Sequence, residues 1–332
     1  MRNFKSYSLL LIASMVASCS KDSTSTSKLG NWIKRSEFEG VARSAAASFV
    51  IDNKAYVGTG YDGTNRLQDF WVYDVDQNQW TQKAVFPGVG RNNASGFAAA
   101  GMGYVGVGYD GLNKLQDFYQ YNPTANTWAR KADFGGTARY GAVGFALKDQ
   151  GYIATGYDGS WLKDNWMYDP TTDTWAQQQS INSGKRTDAS VFVIGNKAYV
   201  CMGVANGQNV VDFYAYDADA KSWTQLRDIA NTSDQPYDDA YNFAGYAAAS
   251  FAMKGKGYIA CGTKTGLSTA CWEYDPTTDL WIQKTDFEGA ARNYATGFTV
   301  KDRGFVVLGT SASQPFDDMR EFDPTAEYNA ND

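Results

Sequence analysis

Two polar residue types recur along this 332-residue chain at a nearly fixed offset. Arginines stand at Arg43, Arg91, Arg139, Arg186 and Arg292, each six residues before a phenylalanine. Aspartates stand at Asp69, Asp117, Asp164, Asp212 and Asp318, giving arginine-to-aspartate offsets of 26, 26, 25, 26 and 26. A guanidinium can fork onto a carboxylate with two hydrogen bonds. The pattern therefore reads as ion pairs that hold loops, or as a ring of arginines offered to a ligand. One copy lacks both partners together, with Gly245 and Ala270 in their places, and joint loss favours pairing. Three turns carry Tyr61-Asp62, Tyr109-Asp110 and Tyr157-Asp158. A tyrosine ring there could stack on a sugar while the carboxylate bonds its hydroxyls; plain hairpin-turn residues are the alternative.

Other chemistry is excluded by composition. There is no histidine, which removes His-based triads, the commonest metal ligand and the usual proton shuttle. Cys201, Cys261 and Cys271 lack zinc spacing, and no carboxylate run resembles a calcium loop, so neither metal nor cofactor is expected. The net charge of −6 without a basic stripe argues against nucleic acid. An enzyme would have to work through Asp, Glu, Tyr, Lys or Arg.

The first residues read as a processing signal. Arg2 and Lys5 precede an apolar run, Tyr7 to Val16, too short to span a bilayer as a stable helix. Val16-Ala17-Ser18-Cys19 resembles a bacterial lipobox, which implies cleavage after residue 18 and acylation of Cys19; an ordinary signal peptide with an incidental cysteine is the alternative. Several acyl chains on one residue anchor durably. Residues 19–30 read as a lipidated, flexible Ser/Thr/Lys tether, and Ser20 fits onward passage to an outer membrane. Losing Arg2 and Lys5 takes the net charge from −6 to about −8.

Tryptophan reveals the elements that must position the polar residues. Trp32, Trp80, Trp128, Trp175, Trp223 and Trp281 are spaced by 48, 48, 47, 48 and 58 residues. Tyr73, Tyr121, Tyr168, Tyr216 and Tyr274 each lie seven positions before one of the last five. Each unit contains four strand-length runs rich in β-branched and aromatic residues, separated by turn residues such as Asp169 to Asp173. The first run is rich in small residues, as in Gly96-Phe97-Ala98-Ala99-Ala100, which suits the crowded axis of a ring of blades.

An apolar run, the turn Gly60-Tyr61-Asp62-Gly63, then Tyr73 and Trp80 with six residues between, resembles the kelch repeat. The resemblance implies an all-β, six-bladed kelch-type β-propeller over residues 31–328, with four antiparallel strands per blade. The last copy lacks its tryptophan, while Trp32-Ile33-Lys34-Arg35-Ser36-Glu37-Phe38 matches Trp281-Ile282-Gln283-Lys284-Thr285-Asp286-Phe287. The N-terminal strand is therefore expected to complete the last blade and close the ring. Galactose oxidase, a kelch-like enzyme, needs histidines for its copper centre and is excluded; kelch-like sialic acid mutarotases imply that the fold can carry chemistry. Kelch proteins also bind partners through arginines at the channel mouth, which keeps the binding reading of the five arginines open.

These features lead to a non-catalytic, outer-membrane, lipid-anchored monomer that binds a glycan or envelope protein through its loop faces. An enzyme acting on an acidic sugar and a structural part of an outer-membrane assembly are the competing readings. Cys261 and Cys271, across one hairpin in the fifth unit, are expected to form a disulfide, leaving Cys201 a buried thiol. The ten extra residues before Trp281 fall between Arg227 and Gly245 and bring Tyr237, Asp238 and Tyr241 to the arginine-bearing face. That insertion is expected either to bind a ligand or to fill the space left by the missing Arg–Asp pair.

Overall fold

The tyrosine–tryptophan spacing of seven is the signature of a hairpin. Tyr73 and Trp80 face each other across strands Phe70–Asp74 and Gln79–Lys83, their ring centroids 5.1 Å apart. The same facing pair recurs at Tyr121–Trp128, Tyr168–Trp175, Tyr216–Trp223 and Tyr274–Trp281, with centroids 4.9–5.0 Å apart. Four of the five tyrosine hydroxyls donate to the turn between those strands, at Asn78, Asn126, Asp173 and Asp279. Those four pairs thus fix register and turn together.

A computed structural model describes residues 29–182, 184–231, 241–312 and 314–332, and among these it contains strands and turns but no helix. Six four-stranded antiparallel sheets follow one another along the chain. The inner strands are Ala47–Ile51, Ser95–Ala99, Val143–Leu147, Ser190–Ile194, Ala249–Met253 and Thr296–Val300, one in each of blades one to six. They alternate buried and half-buried residues, with a phenylalanine at the centre of every strand. That phenylalanine packs onto the second strand of the next blade. A methyl group at Gly151 would overlap the ring of Phe97, so the small residue is what lets the blades approach.

The sixth blade is built from both ends of the chain. Asn31–Lys34 pairs antiparallel with Met319–Asp323, placing Trp32 opposite Phe322. Trp32 is fully buried against Phe251, Phe287 and Phe322, and its indole nitrogen donates to the carbonyl of Thr285 at 3.1 Å. Arg35 and Arg303 both bond Glu321 beside it. The clasp removes the sheet edge that a three-stranded blade would expose. Residues 1–28, including Cys19, lie outside the described residues. Trp32→Ala should cost about 3–5 kcal/mol, and deletion of residues 29–38 more, read as a fall in melting temperature. A deletion variant melting within a degree or two of the parent would refute the clasp.

Candidate ligand-binding face

The arginines and aspartates meet as five pairs. Arg43 forks onto Asp69 at 2.6 and 2.6 Å, Arg91 onto Asp117 at 2.6 and 2.7 Å, and Arg139 onto Asp164 at 2.6 and 2.8 Å. Arg292 forks onto Asp318 at 2.6 and 3.0 Å, and Arg186 reaches the carboxylate and carbonyl of Asp212. Each Nε donates to the carbonyl two residues earlier, and each Nη1 to a carbonyl sixteen residues later. Those later carbonyls belong to Thr59, Val107, Thr155, Met202 and Leu308, which leave their strands through the left-handed region. Such backbone is strained for any residue but glycine, and the guanidinium holds it in place.

This geometry corrects the reading of Arg43, Arg91, Arg139, Arg186 and Arg292 as ligand-binding groups. All five side chains are at most 1% exposed, and four are covered by the rings of Phe38, Phe86, Phe134 and Phe287 at 4.7–5.0 Å. Their donors are committed inside the protein. A ligand would have to strip a buried charge of its partner, which is strongly unfavourable. The arginine backbone also joins blades: the glycine amides at 60, 108, 156, 262 and 309 donate to arginine carbonyls of the following blade.

In blade five Gly245 keeps only that backbone bond, from Gly203 at 2.7 Å. Phe243, from the far end of the insertion, stacks on Trp272 at 4.7 Å and meets Trp281 edge-on at 4.8 Å. Tyr241 is buried beside it, so it is part of this packing and not a ligand contact. Phe243 thus takes the place against these tryptophans that Phe38 and Phe134 hold against theirs in blades that keep the pair; Tyr237 and Asp238 lie outside the described residues. A cavity of about 130 Å³ remains next to Phe243, Trp272 and Cys261.

The expected disulfide does not form. Cys201, Cys261 and Cys271 are all free and buried. Cys271 faces Ala260 in the register, whereas Cys261 has already left the strand through a left-handed turn, φ 66°. The two thiols are thus carried one residue out of facing register. Burial pushes the Cys201 and Cys261 thiols up to about 12 and Cys271 well above its ordinary value, leaving all three unreactive.

The tyrosine turns gather on the same face as the pairs. Tyr61 and Tyr109 donate to the carbonyls of Gly63 and Gly111 at 2.7 and 2.8 Å, and the guanidinium of Arg66 sits between their rings, 5.0 and 5.1 Å from the centroids. The line continues through Tyr140, Tyr157 and Trp161 at centroid separations of 5.4, 5.6 and 5.4 Å. Six half-buried side chains thus form an arc over blades one to three. Arg66, Tyr140 and Trp161 were not legible as members, because no repeat position marks them. Asp62 and Asp110 cap their own turns through backbone amides at 113, 112, 65 and 64, which hold both carboxyls below their ordinary value. Asp158 accepts from the amide of Ser160 and the hydroxyl of Thr137.

At the axis the six blades meet in a closed ring of backbone hydrogen bonds. Ala45 donates to Tyr294, Asn93 to Ala45, Gly141 to Asn93, Asp188 to Gly141, Ala247 to Asp188 and Tyr294 to Ala247, at 2.8–3.1 Å. All six residues are left-handed, with φ between 51° and 63°. Each lies two positions after an arginine or its substitute Gly245, a regularity present in the sequence that the arginines overshadowed. Small side chains at Ala45, Gly141 and Ala247 alternate with Asn93, Asp188 and Tyr294. Asn93 Nδ2 donates to Asp188 Oδ1 at 3.0 Å, and the hydroxyls of Thr187 and Tyr294 also reach this carboxyl. Gly141 makes the room, since a methyl group there would lie 2.7 Å from Asp188 Oδ1.

Burial outweighs these bonds and pushes the Asp188 carboxyl up to about 7, while burial and Asp188 raise Tyr294 well above its ordinary value. The carboxyl is half-buried at the mouth yet enclosed by the ring, so desolvation dominates. A carboxyl raised on folding holds more protons in the native state, so its contribution to stability falls as pH rises from about 4 to about 7. Asp188→Asn should therefore gain melting temperature over the parent by a clearly larger margin at pH 8 than at pH 5. Equal melting differences at the two pH values would contradict the perturbed carboxyl.

The kelch motif is matched at residues 42–84. No curated relative matches the chain in sequence. Among solved structures the fold is similar to that of YjhT, with a TM-score of 0.71 and 16% identity, covering 86% of this chain and 96% of that one. A kelch propeller is a scaffold for binding a protein or another ligand. With six four-stranded antiparallel sheets closed about an axis, the chain folds as a six-bladed β-propeller that carries a kelch motif in its first blade.

Proposed function

We propose that the protein is a non-catalytic envelope protein, lipid-anchored through Cys19, that binds a glycan on the loop face of blades one to three. The observation that carries this reading is the unbroken arc Tyr61, Arg66, Tyr109, Tyr140, Tyr157 and Trp161. Flat, partly exposed rings suit the apolar faces of sugars, and the polar turn residues between them suit hydroxyl groups. The lipobox-like Val16-Ala17-Ser18-Cys19 supports the anchor and an outer-membrane location.

One observation favours a second reading, an enzyme acting on a sugar at the channel mouth. Asp188, pushed up to about 7 and bonded by Asn93 and Tyr294, has the protonation behaviour of a general acid–base group. An acidic substrate held by the five arginines is not favoured, because those arginines are buried in ion pairs.

A glycan array probed with residues 29–332 tests the proposal. A bound glycan should lose affinity about two- to tenfold on Tyr157→Ala or Trp161→Ala, corresponding to about 0.5–1.5 kcal/mol per ring, with melting unchanged. No bound glycan, or undiminished affinity in the double variant, would refute it. Turnover of that glycan, lost in Asp188→Asn, would support the enzymatic reading instead.

A further inference from the structure

We propose that the axial pocket below the ring of hydrogen bonds binds a small primary amine in its protonated form, with Asp188 as the counter-ion. The proposal is independent of glycan binding at the aromatic arc. The pocket encloses about 190 Å³, and its wall combines Asp188, Asn93 and Tyr294 with alanines, glycines and serines of the inner strands.

The polar groups of the pocket are unequally matched. Asp188 is its one charged group, and no lysine or arginine among the described residues bonds it. That sets it apart from Asp69, Asp117, Asp164, Asp212 and Asp318, each held by an arginine. Its neighbours in the ring are Ala45, Gly141 and Ala247, which carry no charge, and Asn93 and Tyr294, which are neutral donors already turned toward it. The remaining titratable groups nearby are Tyr140, which burial raises above its ordinary value and keeps neutral, and, behind Tyr294, Tyr246. Ser250 spends its proton on the carbonyl of Val191, so its oxygen offers only lone pairs to the pocket.

What the pocket lacks is therefore a positive charge with several donors. An ammonium group supplies one charge and three N–H donors, which a carboxylate and serine oxygens can share. An anion would meet Asp188 unopposed, and a neutral molecule would leave the carboxylate without a counter-charge. The net negative charge of the chain favours entry of a cation.

Ethanolamine serves as the probe, with ethylene glycol as its neutral counterpart and acetate as its anionic one, each followed by ligand-observed NMR on residues 29–332. Ethanolamine should bind and the other two should not. Binding requires the ionised carboxyl, which titrates near pH 7, so affinity should be about tenfold weaker at pH 6 than at pH 8. Asp188→Asn should abolish binding at both pH values. Should that variant fail to fold, carbon NMR of the Asp188 carboxyl in the unaltered protein decides. Saturating ethanolamine should lower its titration midpoint, and ethylene glycol should leave it unmoved. Equal binding of the amine and the glycol, retained binding in Asp188→Asn, or an unmoved midpoint would each overturn the proposal.

Discussion

Every blade enters its inner strand through a left-handed residue, and the amides of those six residues donate in sequence to one another round the axis. A six-membered cycle of backbone bonds has no free end. Each residue must hold its left-handed conformation, strained for all but Gly141, for its neighbour's bond to exist. Breaking one link would leave a buried amide and a buried carbonyl unpaired beside a narrow channel, which is costly on both sides. The position of each inner strand, and hence of each blade, is tied to this cycle.

The Arg–Asp pairs are the outer support of the same arrangement. A guanidinium two residues before five of the six ring positions caps a second left-handed turn, at the exit of the next strand, and holds it to the loop behind. Buried ion pairs rarely add net stability over apolar packing, but they fix geometry, because the fork tolerates few alternatives. Blade five shows what the pair is needed for. With Gly245 and Ala270 the backbone bond to Gly203 survives, and a cavity lined by Met202, Phe243 and Ala270 is left beside it. The pair can be lost; the backbone bond is kept.

Much of this was written in the sequence. The Tyr–Trp spacing, the matched segment around Trp32 and the constant Arg–Asp offset each reflect a contact inside one repeat, and contacts inside a repeat appear as periods. The ring at the axis was harder to see. Its members share a backbone conformation and not a side-chain type, so alanine, asparagine, glycine, aspartate and tyrosine all occupy one structural position. The three polar members bond one another across blades two, four and six, a relation that no single repeat contains. The thiol pair failed for a related reason. Cys261 and Cys271 sit across one hairpin, but the left-handed exit at Cys261 shifts its side chain out of facing register.

The result is a face with two kinds of surface: a rigid aromatic arc to one side and a carboxylate-bearing pocket at the centre, both resting on the same cycle of amides. Amide hydrogen exchange at Ala45, Asn93, Gly141, Asp188, Ala247 and Tyr294, followed by NMR, tests that dependence most directly. If the cycle is one cooperative unit, all six amides should exchange at a common slow rate set by global unfolding. Exchange of any one of them at the rate of an open loop, or six widely different rates, would contradict the account.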